Sequence, residues 1–168
     1  MTPVRIVVMG VSGCGKSTVG LALAQRLGLG FLEGDSLHPP GNIAAMAAGI
    51  ALDDAMRLPW LQAVATGLHS EQQGIVGSCS ALRRSYRDVL RRQGEVFFVH
   101  LKIGLHAARA RMQERPGHFM NPALAVSQHA SLEHLDSDEW GIAVDASHPT
   151  EVLVKRVVDH LQTHAAGG

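Results

Sequence analysis

Short apolar runs alternate with amphipathic stretches along the whole chain. Val4–Met9 (VRIVVM) is almost continuously apolar, the pattern of a parallel strand covered on both faces. Phe31–Leu32, Gly74–Ser78, Glu95–Leu101 and Ile142–Val144 read as four further strands. Helical stretches separate them. VGLALAQRL ends at Gly28, and a Gly/Pro turn (HPPGN) leads into a short helix, IAAMAAG. Asp54 to about Ser70 follows, with Pro59 expected in its first turn, where a proline is tolerated. Leu82 to about Gln93 and Leu105–Glu114 are next, the latter stopped by Pro116-Gly117. Residues 116–137 are polar and irregular around one helix, Ala123–Glu133, and Thr150–Thr163 closes the chain behind a His148-Pro149-Thr150 start signal. Alternating strands and helices predict a three-layer α/β fold: five parallel strands with helices on both faces. No repeat, low-complexity tract or linker divides residues 1–168, so one domain is expected.

Composition narrows this picture. The 168 residues suit one domain with a good core, and 46% apolar against 18% charged residues excludes a mainly disordered chain. Fifteen basic and fifteen acidic residues cancel, which argues against a nucleic-acid-binding surface. Cys14 and Cys79 make neither a disulfide framework nor a zinc site of usual spacing, so a reducing compartment is expected. The start of the chain lacks a secretory pattern, and the apolar stretch Ile43–Leu52 is too short to span a bilayer. A soluble, cytoplasmic protein without a membrane partner is the expectation.

The chemistry enters at Gly10-Val11-Ser12-Gly13-Cys14-Gly15-Lys16-Ser17-Thr18. It fits G-x-x-x-x-G-K-[ST] between a buried strand and a helix, the context a phosphate-binding P-loop requires. Gly10, Gly13 and Gly15 permit the tight turn that aims backbone N–H groups at a triphosphate. The following helix directs its positive end there, Lys16 reaches the β/γ-oxygens, and the Ser17 hydroxyl holds Mg²⁺. ATP and Mg²⁺ are therefore the expected ligands. GTPase base-reading motifs are missing, and the third strand ends in Gly77-Ser78-Cys79-Ser80 without the acid of an ATPase motor. A compact small-molecule kinase remains. Asp35 follows the second strand, at the ligand end of such sheets, where it could accept a hydroxyl proton or order Mg²⁺ waters; an ordinary turn aspartate occupies the same position equally well.

With the P-loop, the stretches FLEGDSLHPPGNIAAMAAGIALDDAMRLPWL, CSALRRSYRDVLR, RPGHFMNPALAVSQHASLE and DASHP resemble the thermoresistant-type gluconate kinases. The likeness runs from Val8 to Pro149. It implies the fold of nucleoside monophosphate and shikimate kinases with a lid at roughly 116–137, and a homodimer. The implied reaction transfers the ATP γ-phosphoryl group to the terminal hydroxyl of D-gluconate. The family pattern often has a lysine near Ala45, an acid at Met56 and an aromatic at His129. Two alternatives are another metabolite kinase of this fold and a non-catalytic nucleotide-binding protein; the shikimate kinases expect a glycine triplet where this chain has Ser78-Cys79-Ser80.

An anionic polyol needs a carboxylate clamp and hydroxyl partners, and arginine suits the clamp. The resemblance points to Arg84 and Arg87 for substrate or phosphate, while Arg91 and Arg92 read as a solvated basic face and Tyr86 and Asp88 as helix braces. Arg57 is a carboxylate candidate or a structural partner of Asp53 or Asp54. His38 would donate to a hydroxyl. Arg111 and Arg115 share a helix face leading to the lid and would close over ATP, with Arg115 neutralising transferred charge. His118 and Gln128 are implied lid contacts to substrate, and the turn ending at Pro149 is implied to seat the adenine edge. His160 and His164 have metal-ligand spacing but no evident third partner.

Overall fold

The computed structural model describes residues 3–114 and 122–165. Five parallel strands form one sheet: β1 (Val4–Met9), β2 (Gly30–Glu33), β3 (Gly74–Ser78), β4 (Phe97–Lys102) and β5 (Gly141–Asp145), in the order β2-β3-β1-β4-β5. β1 is central, with Val4 opposite Gly74 of β3 and Ile6 opposite Phe97 of β4. Its apolar run is explained by two cores. Ile6 and Val8 face one layer, which is built from α1 (Lys16–Leu27), α5 (Leu105–Gln113) and α7 (Thr150–Ala165). Val7 and Met9 face the other, built from α3 (Asp54–Ser70) and α4 (Arg84–Leu90). The pleat sends successive side chains to opposite faces, so a strand covered on both must be apolar throughout.

Two shorter helices complete the frame, α2 (Pro40–Ala47) and α6 (Pro122–Ser131). Three boundaries differ from the sequence expectation. α2 starts earlier because Pro40 occupies its first position, where its missing N–H costs nothing. Pro59 lies inside α3, beyond the first turn, which begins at the Asp53 cap whose carboxylate accepts from the Met56 N–H at 2.8 Å. α4 is only Arg84–Leu90, since Ala81 adopts a left-handed backbone (φ 44°) before it and Gly94 turns the chain after it.

The arginine-rich helix α4 is anchored by a buried ion pair. Arg87 is fully buried, and its Nε and Nη2 donate to the two Glu139 oxygens at 2.8 and 2.9 Å. Nη1 donates to the Ala81 and Glu133 carbonyls and Nη2 also to His134, at 2.9, 3.1 and 3.3 Å. Burial alone would raise the Glu139 carboxyl, but hydrogen bonds from Arg87, the Asp136 backbone and Arg91 outweigh it and hold the pKa at about 2. Breaking such a pair leaves a buried charge uncompensated. Arg87→Leu should therefore lower unfolding free energy by about 3–5 kcal/mol in urea melts at neutral pH. The depressed Glu139 pKa sets the sign of the pH effect. Its stabilisation is complete above the ordinary carboxyl value of 4.5 and is lost as pH falls from there toward 2. Glu139→Gln should flatten that part of the stability–pH curve.

Candidate functional site

The P-loop sits at the carboxyl end of the central strand, where the chain's connections diverge to either side of β1. Its base is buried: the Gly10 N–H donates to the Ser80 carbonyl at 3.2 Å, and Val11 is 2% exposed. The turn needs glycine at residue 13, where φ is 86° and a Cβ would lie 2.5 Å from the Ala108 carbonyl of α5. Lys16 Nζ donates to the Val11 carbonyl at 3.1 Å.

A cavity of about 550 Å³ opens on one side of the loop. Gly13, Cys14, Gly15 and Thr18 line it, with Arg111 and the turn from Ala146 to Thr150, including Pro149. Arg111 spans it, donating to the Cys14 carbonyl at 3.3 Å and the Ala146 carbonyl at 2.8 Å. The P-loop residues, Arg111 and Pro149 that the sequence singled out are thus brought together. Arg115 and His118 lie outside the described residues.

A second, tighter cavity lies across the loop. Ser12, Lys16, Asp35, His38, Arg57 and Gln128 line it, joined by Trp60. Asp35 reaches it from a single 3₁₀ turn, Gly34–Leu37, directly after β2. Gly34 makes this possible, because a Cβ there would stand 2.0 Å from the Ser78 carbonyl. Trp60 fixes the same turn by donating from Nε1 to the Gly34 carbonyl at 2.8 Å, and its ring stacks on His38 at 4.0 Å. Burial lowers the His38 pKa; Asp35 opposes this and Arg57 adds to it. Arg57 donates from Nη1 to the Tyr86 hydroxyl at 2.9 Å, and Tyr86 donates to Asp54 at 2.6 Å. Burial and that hydrogen bond raise the Tyr86 pKa, so the phenol stays protonated. Gln128 Oε1 accepts from the Ser12 N–H at 2.7 Å, which pins α6 to the P-loop.

The arginines of α4 are not part of this cavity. Arg87 is enclosed by Glu139 and three carbonyls, and Arg84 is paired with Asp136 and Asp138 at 2.7 Å each. The sequence expectation placed both at substrate or phosphate; here both guanidinium groups are held by protein acceptors and neither lines this cavity. Arg91 is likewise no solvated residue, since it pairs with Asp88 and Glu139 and covers the Phe98 ring. Among the described residues, Lys16 and Arg57 are the lysine and arginine lining the second cavity. Tyr86 does brace α4, against α3, through Asp54 and Arg57.

Glu33 was missed in the sequence. It ends β2 and accepts from the Ser17 hydroxyl at 2.5 Å and the Ser78 hydroxyl at 2.6 Å. An acid one strand away from the expected position supplies the carboxylate that the end of β3 lacks. Ser17 and Glu33 are hard oxygen donors beside the phosphate loop, a set that suits Mg²⁺. The signal was available in Leu32-Glu33-Gly34-Asp35, two acids at the end of one strand.

A shikimate kinase family profile matches residues 12–159. A gluconokinase of Gluconobacter oxydans (strain 621H) is 43% identical over 166 residues, covering 96% of this chain and 93% of that protein. The chain belongs to the gluconokinase family. Two solved structures agree with that membership. A gluconokinase from Sinorhizobium meliloti 1021 is 43% identical with a TM-score of 0.88, covering 98% of this chain and 95% of the other. A sugar kinase from Janibacter sp. HTCC2649 is 44% identical with a TM-score of 0.89, covering 95% of both chains. The family's P-loop kinase fold and the five-stranded parallel sheet expected from the sequence are both found here.

In this gluconokinase-family chain, Gly34 is the geometric condition for the site. Gly34→Ala should cost about 1–3 kcal/mol of stability, as overpacking does. It should also lower turnover strongly, because the intruding methyl displaces Glu33 and Asp35. Urea melts and an ADP-release assay measure the two effects.

Proposed function

We propose that the protein is an ATP-dependent gluconokinase. The observation that carries this reading is the placement of two cavities on opposite sides of one P-loop. The larger cavity, with Arg111 and the Pro149 turn, takes the nucleotide. The smaller, with Lys16, Asp35, His38 and Arg57, takes D-gluconate, and the P-loop residues Gly13, Cys14 and Gly15 line the larger. The identities to gluconokinases over nearly the whole chain favour gluconate over shikimate, whose kinases supply the family profile.

In the reaction, the terminal hydroxyl oxygen of gluconate bonds to the γ-phosphorus as the β–γ bridging P–O bond breaks. ADP departs and 6-phosphogluconate forms. The hydroxyl proton passes to the Asp35 carboxylate and then to solvent. The transition state is loose, so positioning and charge neutralisation outweigh early deprotonation. Lys16 and the P-loop N–H groups hold the β/γ-oxygens. Ser17 and Glu33 would hold Mg²⁺, which supplies further neutralisation of phosphate charge. Arg57, steadied by Tyr86, grips the gluconate carboxylate, and His38 donates to a hydroxyl. Arg115, His118 and Gln128 complete the lid side on the family's pattern. The same reading includes a cytoplasmic homodimer. Among the described residues no helix is long and apolar enough to cross a membrane.

An ADP-release assay with gluconate, shikimate and nucleoside monophosphates tests the substrate; turnover dependent on gluconate is expected, and turnover on shikimate alone would refute the reading. Asp35→Asn should keep ATP affinity while kcat falls by about 10²–10⁴-fold, the range of a general base. Lys16→Ala should remove nearly all turnover from a folded protein. Arg57→Ala should raise the gluconate KM and leave that for ATP nearly unchanged.

A further inference from the structure

Helix α2 is short, and Asn42 is the residue it buries. Asn42 Nδ2 lies 3.0 Å from the Met56 carbonyl oxygen and 3.2 Å from His38 Nδ1. A carbonyl oxygen can only accept, so the end of the carboxamide facing Met56 must be its NH₂ group. That group has two hydrogens. One goes to Met56 and the other to His38, so His38 Nδ1 must present its lone pair. A neutral imidazole carries one ring proton, which is thereby placed on Nε2. The Trp60 stack, with ring planes 15° apart, keeps the ring in this plane.

We propose that Asn42 is a positioning residue that fixes His38 as the uncharged Nε2–H tautomer, a donor to a hydroxyl of the acceptor substrate. This rests on the reading of the smaller cavity as the acceptor site. Among the described residues, the charged groups sharing that cavity are Lys16, Asp35 and Arg57. A second proton on His38 would displace the Asn42 bond and put a cation beside Asp35, weakening that carboxylate as a base. Asn42 opposes both changes. Burial of His38 and the nearby Arg57 act in the same direction, against the pull of Asp35.

The test uses ligand-free protein labelled with ¹⁵N-histidine. Long-range ¹H–¹⁵N correlation gives the protonation of each ring nitrogen, and the His38 signals are those missing from His38→Gln. The wild type should show a protonated Nε2 and bare Nδ1 at neutral pH; a protonated Nδ1 overturns the proposal without any variant having to fold. In Asn42→Asp the new carboxylate accepts from Nδ1–H. The Nδ1 signal should become protonated and the titration midpoint should move up by about one unit or more. The acid limb of kcat/KM for gluconate should move up with it, and its KM should rise about tenfold, the scale of one lost hydrogen bond. A folded Asn42→Asp protein with unchanged tautomer, midpoint and acid limb would reduce Asn42 to an anchor of α2 and overturn the proposal. Failure of the underlying reading looks different: His38→Gln would leave the gluconate KM unchanged while the wild-type tautomer remained as assigned.

Discussion

The site depends on the enclosure of one cation. Arginine has five N–H donors, and the five hydrogen bonds of Arg87 run to Glu139, Ala81, Glu133 and His134. Those acceptors come from two places: the β3–α4 connection beneath the acceptor cavity, and the stretch that leaves α6. A lysine would bring fewer donors and no planar fork, so it could not replace this arrangement. Neighbouring bonds extend the joint. The Glu133 N–H donates to the Leu82 carbonyl at 2.7 Å, and the Arg84 N–H donates to Glu133 Oε1 at 2.9 Å. Leu82 itself lines the acceptor cavity. The ion pair thus fixes one wall of the cavity and the base of the segment that carries Gln128. The exposed Arg84 pairs contribute little by comparison, because solvent screens them.

This division of labour explains what the sequence disclosed. The sheet was legible because a strand buried on both faces is mostly apolar, as β1 is apart from Arg5 and β4 apart from His100 and Lys102. The P-loop was legible because its chemistry is local: close backbone approach, left-handed turns and one lysine lie within nine residues. The arginines of α4 were not legible in the same way. A guanidinium suits a substrate carboxylate and a protein carboxylate equally, and Glu139 lies 52 residues from Arg87 in the chain. Only the fold decides between such partners. Glu33 is hard to read for a related reason: the acid stands at the end of β2, and β3 ends without one. Asn42 could not be read at all, because its meaning comes from meeting Met56 and His38 together.

On the proposed reading, the P-loop contributes to both ligand cavities. Ser12 and Lys16 face the acceptor side, while Gly13, Cys14, Gly15 and Thr18 face the larger cavity. A loop only a few residues long therefore separates the two cavities. α6 touches it through the Gln128–Ser12 hydrogen bond, so the position of that helix is coupled to the loop by a directional contact. A hydrogen bond of this kind contributes about 1 kcal/mol net, enough to favour one arrangement yet small against the binding energy of a nucleotide.

Charge in the acceptor cavity follows from the same partition. The cations of α4 do not face the cavity. Arg84, Arg87 and Arg91 are instead matched with Asp136, Asp138, Glu139 and Asp88. Arg57 is held by Tyr86, whose own hydrogen bond reaches Asp54, so among the described residues its charge is oriented through a phenol and not by a direct ion pair. A neutral His38 fits this balance, since it adds a donor without adding charge. On the proposed reading, Lys16 and Arg57 each answer a ligand anion, the phosphates and the substrate carboxylate. Among the described residues, the clustered arginines that look like a substrate clamp in the sequence are matched with protein carboxylates, and Lys16 and Arg57 are the lysine and arginine that line the smaller cavity.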